Sequence, residues 1–241
     1  MLYAVISDVH SNLDAFEAVL NDIDRRRIRE IIFLGDAVGY GPEPNECIEL
    51  LSGKCSTLLA GNHDWAAVGS TDICCFNDYA RHAIEWTTEM ITDRSKAVLN
   101  SFVLSDEKKE ADAFFVHATP KEPGEWHYLL SLGDAEVNFN YFDNKICFLG
   151  HSHQPFIIER MQSGELVLLR GEADMKPDSR YIINAGSVGQ PRDGDPRACY
   201  AIVEDDRVEI VRIPYNIVNV QEKMRQAGLP HHLIERLALG R

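Results

Sequence analysis

The stretch ICFLGHSH, residues 146–153, joins an apolar run to two histidines. The four apolar residues predict a buried strand that ends at Leu149. Side chains two positions apart on an extended segment lie on the same face, so we expect His151 and His153 to point to one place. Imidazole nitrogens are common ligands of transition metals. The stretch therefore predicts a metal site at the end of a sheet strand.

Four other apolar runs end in the same way, with a side chain that can bind metal. These endings are VISDVH (5–10), FLGD (33–36), LAGNHD (59–64) and FFVH (114–117). Ligand sites in α/β sheets form beyond the carboxyl ends of the strands, so we expect the five endings to converge. They supply seven candidate ligands, which are too many for one ion and suit two ions that share Asp36. The seven are Asp8, His10, Asp36, Asn62, His117, His151 and His153.

The order of apolar patterns predicts an α/β protein. Strands are expected at residues 2–6, 31–34, 57–60, 113–116 and 145–149. A helix is expected from about Leu13, with Ser11 or Asn12 as its N-cap. A helical stretch at about 65–101, with apolar positions at Tyr79, Ala83, Trp86 and Met90, is interpreted as a cap over one edge of the core.

The chain beyond Gln154 is typical of β-structure, and it includes a predicted hairpin that turns at Asp205 and Asp206. The last 26 residues predict a helical tail, at about 216–241, that is broken near Gly228 and Pro230. No internal repeat or linker separates these segments. We therefore expect one domain over residues 1–241.

The composition of the chain limits the kinds of partner that we expect it to bind. The 241 residues are 45% hydrophobic, and no apolar stretch approaches the roughly 18 to 20 residues that cross a bilayer. Asp8 interrupts the first apolar run before a signal-peptide core could form, so we expect a cytoplasmic protein with no membrane partner. The net charge of −14 disfavours double-stranded nucleic acid. The six cysteines lack metal-site spacing and are expected to be thiols rather than disulfides. The oligomeric state stays open.

DxH, GD, GNHD, a strand-end histidine and GHSH, in this order, resemble the motifs of the calcineurin-like metallophosphoesterases. The segments GDAVGYGPEPNECIELL and NAGSVGQPRDGDPRACY further resemble a bacterial and archaeal branch related to diadenosine tetraphosphatases, also described as YfcE-like. The resemblance implies a four-layer α/β/β/α sandwich of two mixed sheets. It also implies that the metal centre lies at one edge of that sandwich.

The resemblance assigns Asp8, His10, Asp36 and His153 to one ion, and Asp36, Asn62, His117 and His151 to the other. Two divalent transition-metal ions are implied, with Mn, Fe, Zn, Ni and Co all compatible with such ligands. The implied reaction is attack of a metal-bridging hydroxide on a small phosphate ester, a phosphodiester or a nucleoside polyphosphate. The alternative is a catalytically silent protein of the same fold that acts as a binding or scaffold module.

His63 is interpreted as the general acid, with a purely orienting role as the alternative. Asp64 either orients His63 or holds the turn. Protein serine/threonine phosphatases of the family, and its symmetrical diadenosine tetraphosphatases, carry GDxxDRG. This chain reads GDAVGYG, so Gly39 and Tyr40 replace the supporting carboxylate and the phosphate-binding arginine. This difference disfavours protein phosphatase activity.

Tyr40 itself is a candidate substrate-binding residue. Arg192, in the loop NAGSVGQPRDGDPR (184–197), is a candidate replacement for the missing arginine. The alternative is an ordinary surface turn in which Arg192 pairs with Asp193 or Asp195.

Overall fold

Two six-stranded mixed sheets pack face to face, with helices on their outer faces. The computed structural model describes the backbone of all 241 residues and every side chain except that of Cys75. The strands are β1 (Leu2–Ile6), β2 (Ile31–Phe33), β3 (Thr57–Leu58), β4 (Ser105–Lys108), β5 (Ala113–Val116), β6 (Ile146–Leu149), β7 (Phe156–Arg160), β8 (Leu166–Leu169), β9 (Glu172–Asp174), β10 (Arg180–Asn184), β11 (Ala198–Glu204) and β12 (Arg207–Ile213). The four-layer α/β/β/α prediction is confirmed.

The first sheet has the order β3-β2-β1-β11-β12-β9, and the second has the order β4-β5-β6-β10-β7-β8. β1, β2 and β3 run parallel to one another in the first sheet. β5, β6 and β10 run parallel to one another in the second. The carboxyl ends of parallel neighbours lie at the same edge of a sheet, so the loops that follow these strands are close together.

Eight α-helices complete the layers. They are α1 (Leu13–Arg25), α2 (Pro44–Lys54), α3 (Asn62–Ala67), α4 (Asp78–Met90), α5 (Asp93–Leu99), α6 (Leu132–Asn138), α7 (Ile217–Gln226) and α8 (His231–Leu237). The side chain of Asn12 accepts a hydrogen bond from the Ala15 amide at 3.1 Å, so Asn12 is the side-chain cap of α1.

Both faces of β1 are buried, which explains why its sequence is continuously apolar. Tyr3 and Val5 face the space between the sheets, whereas Ala4 and Ile6 face the core beneath α1. Between the sheets, Tyr3 makes edge contacts with Phe115 and Phe148 at centroid distances of 6.4 and 6.2 Å. A strand that is covered on both faces needs apolar residues at every position.

The helical stretch at 65–101 consists of the end of α3 followed by α4 and α5. Its predicted apolar face was wrong in part, because Tyr79 and Met90 are about half exposed, at 48% and 49%. The buried face of α4 is formed by Ala80, Ala83, Ile84 and Thr87. Small residues allow α4 to pack closely, so the larger side chains were a misleading guide to its inner face.

The predicted hairpin is confirmed, since β11 and β12 pair antiparallel around Asp205, which has a φ of 50°. The predicted break in the tail is also present, and it separates α7 from α8. β4, β9 and α6 were not predicted. A single domain over residues 1–241 stays a prediction.

Cys47, Cys147 and Cys199 are buried thiols outside any disulfide, and burial raises the pKa of each. The side chain of Cys75 lies outside the described residues. Within the described chain, no helix is both long enough and apolar enough to span a bilayer.

Candidate metal centre

The seven predicted ligand residues are all buried, and six of them form two groups of metal-binding side chains that share one carboxylate. Their backbones belong to the loops after β1, β2, β5 and β6 and to the first turn of α3. Asp8, His10, Asp36 and His153 make up the first group, and Asp36, His117 and His151 make up the second. Asn62, a neutral ligand candidate, begins α3 directly after Gly61.

In the first group, Nε2 of His153 lies 3.2 Å from Oδ1 of Asp8. Nε2 of His10 lies 3.1 Å from Nε2 of His153 and 3.6 Å from Oδ2 of Asp36. These nitrogens and oxygens converge from three separate loops. Such an arrangement is suited to holding a cation between the donors.

Asp36 belongs to both groups because its two oxygens have different surroundings. Oδ1 accepts a hydrogen bond from the His63 amide at 2.9 Å. Oδ2 faces Nε2 of His10 at 3.6 Å and Nε2 of His117 at 3.4 Å. The N-terminus of α3 therefore holds one oxygen and leaves the other between the groups. Asp8 repeats this pattern, since its Oδ2 accepts from the His151 amide at 3.1 Å while Oδ1 faces His153.

Backbone carbonyls orient all four histidines. Each ring places one nitrogen against a carbonyl oxygen, and a neutral imidazole that donates there presents its second nitrogen as a ligand. The ligand atom is therefore Nε2 in three histidines and Nδ1 in His151. The pairs are His10 Nδ1 with Val38 at 2.9 Å, His117 Nδ1 with Leu34 at 3.1 Å, His153 Nδ1 with Gln190 at 2.6 Å, and His151 Nε2 with Trp126 at 2.9 Å.

Three buried ligand atoms lack a hydrogen-bond partner within the described structure: Oδ1 of Asp8, Oδ1 of Asn62 and Nε2 of His117. A buried polar atom without a partner costs free energy; a cation in the first group would satisfy the Asp8 atom, and a cation in the second would satisfy those of Asn62 and His117. The unpaired atoms include a carboxylate oxygen, an amide oxygen and an imidazole nitrogen. This donor set fits a divalent transition metal.

The pKa values of the four histidines are also consistent with a cation site. Burial lowers the pKa of His10 and His153, and it lowers the pKa of His151 to about 3, so these rings are neutral. Burial also lowers the pKa of His117, but the charge of Asp36 outweighs it and raises that pKa to about 9. The raised pKa of His117 reflects the negative charge that Asp36 places between the two groups, and a cation bound there would neutralise that charge.

The backbone at five of the seven ligand residues is in the left-handed region, which costs energy for residues other than glycine. The φ angles are 53° at Asp8, 48° at His10, 59° at Asp36, 62° at His151 and 58° at His153. The expectation of an extended GHSH segment was therefore wrong. His151 and His153 converge because the loop turns sharply at both residues, and they join different groups.

Asp64 holds the turn. Its Oδ2 accepts from the amides of Asp36 and Gly61 at 2.8 and 2.9 Å, and its Oδ1 accepts from Ala37 and Val38 at 2.8 and 3.3 Å. Burial raises the pKa of Asp64, yet both oxygens face N–H donors, so the turn binds the ionised form, which only accepts. Asp64 thus ties the Asp36 loop to α3.

His63 is held by ring packing. Its centroid lies 4.5 Å from that of Tyr40 and 5.0 Å from that of Phe76, which is nearly parallel at 19°. Nδ1 has no hydrogen-bond partner in the described structure, and a Cβ built on Gly39 would lie 2.4 Å from it. Burial lowers the pKa of His63 to about 4. The glycine at position 39 therefore leaves room for a ring that packing, rather than a carboxylate, orients.

Arg192 borders the metal centre. Its amide donates to the His153 carbonyl at 3.1 Å, and its Nη2 donates to Oε1 of Gln190 at 2.9 Å. Its Cζ lies 5.5 Å from the centroid of the Tyr40 ring, a cation–π distance. Asp193 pairs instead with Arg212, and Asp195 pairs with Arg197. Arg192 therefore makes neither of the ion pairs that the alternative interpretation expected, and its role in substrate binding stays a prediction.

Several side chains at the centre were not predicted. Tyr128 stacks on His151 with a centroid distance of 4.1 Å, and it is 51% exposed. Ser187 donates to the Asp8 carbonyl at 2.9 Å, and Asn184 donates to the Gly150 carbonyl at 2.6 Å. Asn184 ends β10, which is parallel to β6, so its position at a strand end was an available signal. No comparable pattern marked Phe76 or Tyr128.

Comparisons with known proteins identify the family of this chain. Residues 1–207 match the calcineurin-like phosphoesterase superfamily domain. A Methanocaldococcus jannaschii protein, named Uncharacterized protein MJ0912, is 44% identical over 244 residues, covering 100% of this chain and 98% of that protein. The crystal structure of a metallophosphoesterase from Sphaerobacter thermophilus is 43% identical, with a TM-score of 0.87 and coverage of 100% and 99%.

A more distant structure shares the fold alone. Yfce, a phosphoesterase from E. coli, is 18% identical with a TM-score of 0.50, over 89% of this chain and 100% of that one. The match to residues 1–207 and the relatives at 44% and 43% identity show that the chain belongs to the calcineurin-like phosphoesterase superfamily.

Proposed function

We propose that this protein is a dimetal-dependent phosphoesterase. The observation that carries the proposal is Asp36, whose Oδ2 lies between His10 and His117 and is shared by two groups of buried ligand residues. Asp8, His10 and His153 complete one set with Asp36. Asn62, His117 and His151 complete the other. The substrate is proposed to be a small phosphate ester, and a cytoplasmic location is part of the proposal.

Two divalent ions, when bound, would supply an activated water and neutralise charge on the phosphoryl group. The chain contributes the geometry. Backbone carbonyls fix the four imidazoles, and backbone amides fix one oxygen of each carboxylate. Ligands that are already oriented do not have to reorganise when substrate arrives.

His63 is proposed to donate a hydrogen bond to the leaving oxygen. It follows the ligand Asn62, and its ring packs against those of His10 and Tyr40 at centroid distances of 4.9 and 4.5 Å. A neutral imidazole still carries one N–H, so it can act as a donor without a supporting carboxylate. The pocket of Tyr40 and Phe76 keeps the ring in place.

The complete ligand set argues against the scaffold alternative. A protein retained only for binding has no need for seven buried ligand residues, several with left-handed backbone strain. The unpaired ligand atoms also cost stability unless an ion binds.

Metal analysis combined with a substrate panel tests the proposal. The panel contains a nitrophenyl monoester, a bis-nitrophenyl diester and a dinucleoside polyphosphate. The parent should bind two ions per chain and hydrolyse at least one substrate. Asp36→Asn should lower the occupancy of both ions and reduce hydrolysis by orders of magnitude, whereas the same change at the exposed Asp178 should alter neither. Full occupancy and normal turnover in the Asp36 variant would contradict the shared-ligand assignment.

A further inference from the structure

The C-terminal tail contacts the loop that carries Arg192. On α8, Leu233 and Leu237 are buried in one cluster with Tyr40. After the helix, the Gly240 carbonyl accepts a hydrogen bond from the Gly194 amide at 2.9 Å. A Cβ built on Gly240 would lie 2.7 Å from backbone atoms of Asp195, so the two segments approach as closely as their backbones allow. The tail is therefore joined to the rim of the metal centre.

Further contacts anchor the tail next to two of the ligand-carrying loops of the first sheet, those after β1 and β2. Nζ of Lys223, on α7, donates to Asp14 at 2.6 Å and to both oxygens of Glu43 at 2.9 Å. Asp14 follows the loop after β1, and Glu43 follows the loop after β2. Gln221 donates to the Ile234 carbonyl at 2.8 Å and so connects α7 to α8. These contacts set the position of α8.

Arg236 lies on α8 between the buried Leu233 and Leu237 and is partly buried. Burial, followed by the charge of Arg192, lowers the pKa of Arg236 to about 10, and Tyr40 and Tyr128 act in the opposite direction. Within the described structure its side-chain hydrogen bond goes to the Arg241 carbonyl. The geometry agrees, because α8 packs against Tyr40 through Leu233 and Leu237, and Cζ of Arg192 lies 5.5 Å from the centroid of the same ring.

No Asp or Glu side chain forms a salt bridge with Arg192 or Arg236 among the residues that the structure describes. Nε of Arg192 is also buried there without a hydrogen-bond partner. The charge of Arg192 acts on the buried Asp8, but neither arginine has a directly paired side-chain carboxylate. Two like charges that lack such a pair repel each other, and a ligand that supplies negative charge relieves the repulsion. A guanidinium fork matches the oxygens of a phosphate group.

We infer that Arg236 and Arg192, together with Tyr40 and Tyr128, form a site for a phosphate group that the metal ions do not hold. The inference rests on the proposed phosphoesterase function and specifies its substrate class. A simple monoester has only the reacting phosphate and gains nothing from this site. A substrate with a second phosphate joined to the first, such as a nucleoside polyphosphate, uses both sites.

The test measures dissociation constants by calorimetry for pyrophosphate and orthophosphate on the full chain, with the divalent ion in excess of both. The parent should bind pyrophosphate more tightly than orthophosphate. Arg236→Met, which keeps an unbranched apolar stem, should weaken pyrophosphate binding by roughly tenfold, the scale of one charge-assisted hydrogen bond at a partly exposed site. The orthophosphate constant should change much less. The matched control is Arg225→Met on α7, because Arg225 is exposed and pairs with Glu222.

The ratio of the two constants decides the result. An unchanged ratio in Arg236→Met refutes the site. If Arg236→Met disturbs the fold, as judged by circular dichroism, Arg236→Lys replaces it. That variant keeps the charge and loses the fork, so its ratio should fall measurably, and a ratio equal to that of the parent refutes the site. If the parent hydrolyses no ester but the ratio falls as expected, the proposed function fails and the two-arginine site stands.

Discussion

Replacement of Asp64 by asparagine tests how the loops of the metal centre are held. The carboxylate accepts two backbone hydrogen bonds on each oxygen, from Asp36 and Gly61 on one and from Ala37 and Val38 on the other. An asparagine side chain has only one oxygen. Its NH₂ group would face two amide donors, so two buried N–H groups would lose their acceptor.

The expected cost follows from those two groups. A buried donor left without a partner costs about 1 to 3 kcal/mol, so Asp64→Asn should lower the free energy of unfolding by about 2 to 6 kcal/mol. This is a large share of the free energy of unfolding of a folded domain, which is typically about 5 to 15 kcal/mol. Bound ions would raise that free energy further. Urea unfolding of metal-free protein, followed by circular dichroism, measures the cost without a contribution from bound ions.

Asp134→Asn is the matched control. Asp134 also accepts from backbone amides, those of Leu130 and Ser131, but through Oδ2 alone and at an exposed position. An asparagine there can keep both bonds through its one oxygen, so the cost should stay below about 1 kcal/mol. A loss below about 1 kcal/mol in Asp64→Asn as well would refute the reasoning. It would show that the Asp36 loop does not depend on this carboxylate.

Three further changes probe other parts of the structure. His63→Gln should retain both ions and lose more turnover on an alkyl phosphate than on a nitrophenyl phosphate, which needs little protonation; equal losses would favour a purely orienting role. Gly39→Ala should displace the His63 ring and lower turnover at normal metal content, because its Cβ would lie 2.4 Å from Nδ1 and its φ of 86° is unfavourable for alanine; unchanged turnover would contradict this. Burial raises the pKa of Glu159, but hydrogen bonds from Ser179, Lys176 and Tyr181 outweigh it and hold the pKa below the ordinary 4.5. The stabilisation from ionised Glu159 is present above pH 4.5 and is lost as the pH falls through the lower pKa of the folded state. The free energy of unfolding in urea, measured from pH 6 to 3, should therefore depend less on pH in Glu159→Gln than in the parent. Identical profiles would exclude this contribution of Glu159.

The sequence by itself determined the identity of the candidate ligands and the layers that carry them. Apolar runs such as FFV and ICFL predict strands because both faces of each are covered. Ligand-type residues directly after parallel strands converge because those strands end at one edge of a sheet. The asparagine cap of α1 and the hairpin at Asp205 are local features of a few neighbouring residues, so sequence alone was sufficient for them.

Only the tertiary structure decided which side chains orient the centre. Asp64 binds amides 26 to 28 residues away, and the Phe76 ring reaches His63 across a loop. The spacing of residues in a sequence defines the face of a helix or strand, but it does not define what a distant segment places against that face. Arg236 shows this most clearly, because no local sequence pattern distinguishes it. The packing of α8 against Tyr40 places it near Arg192.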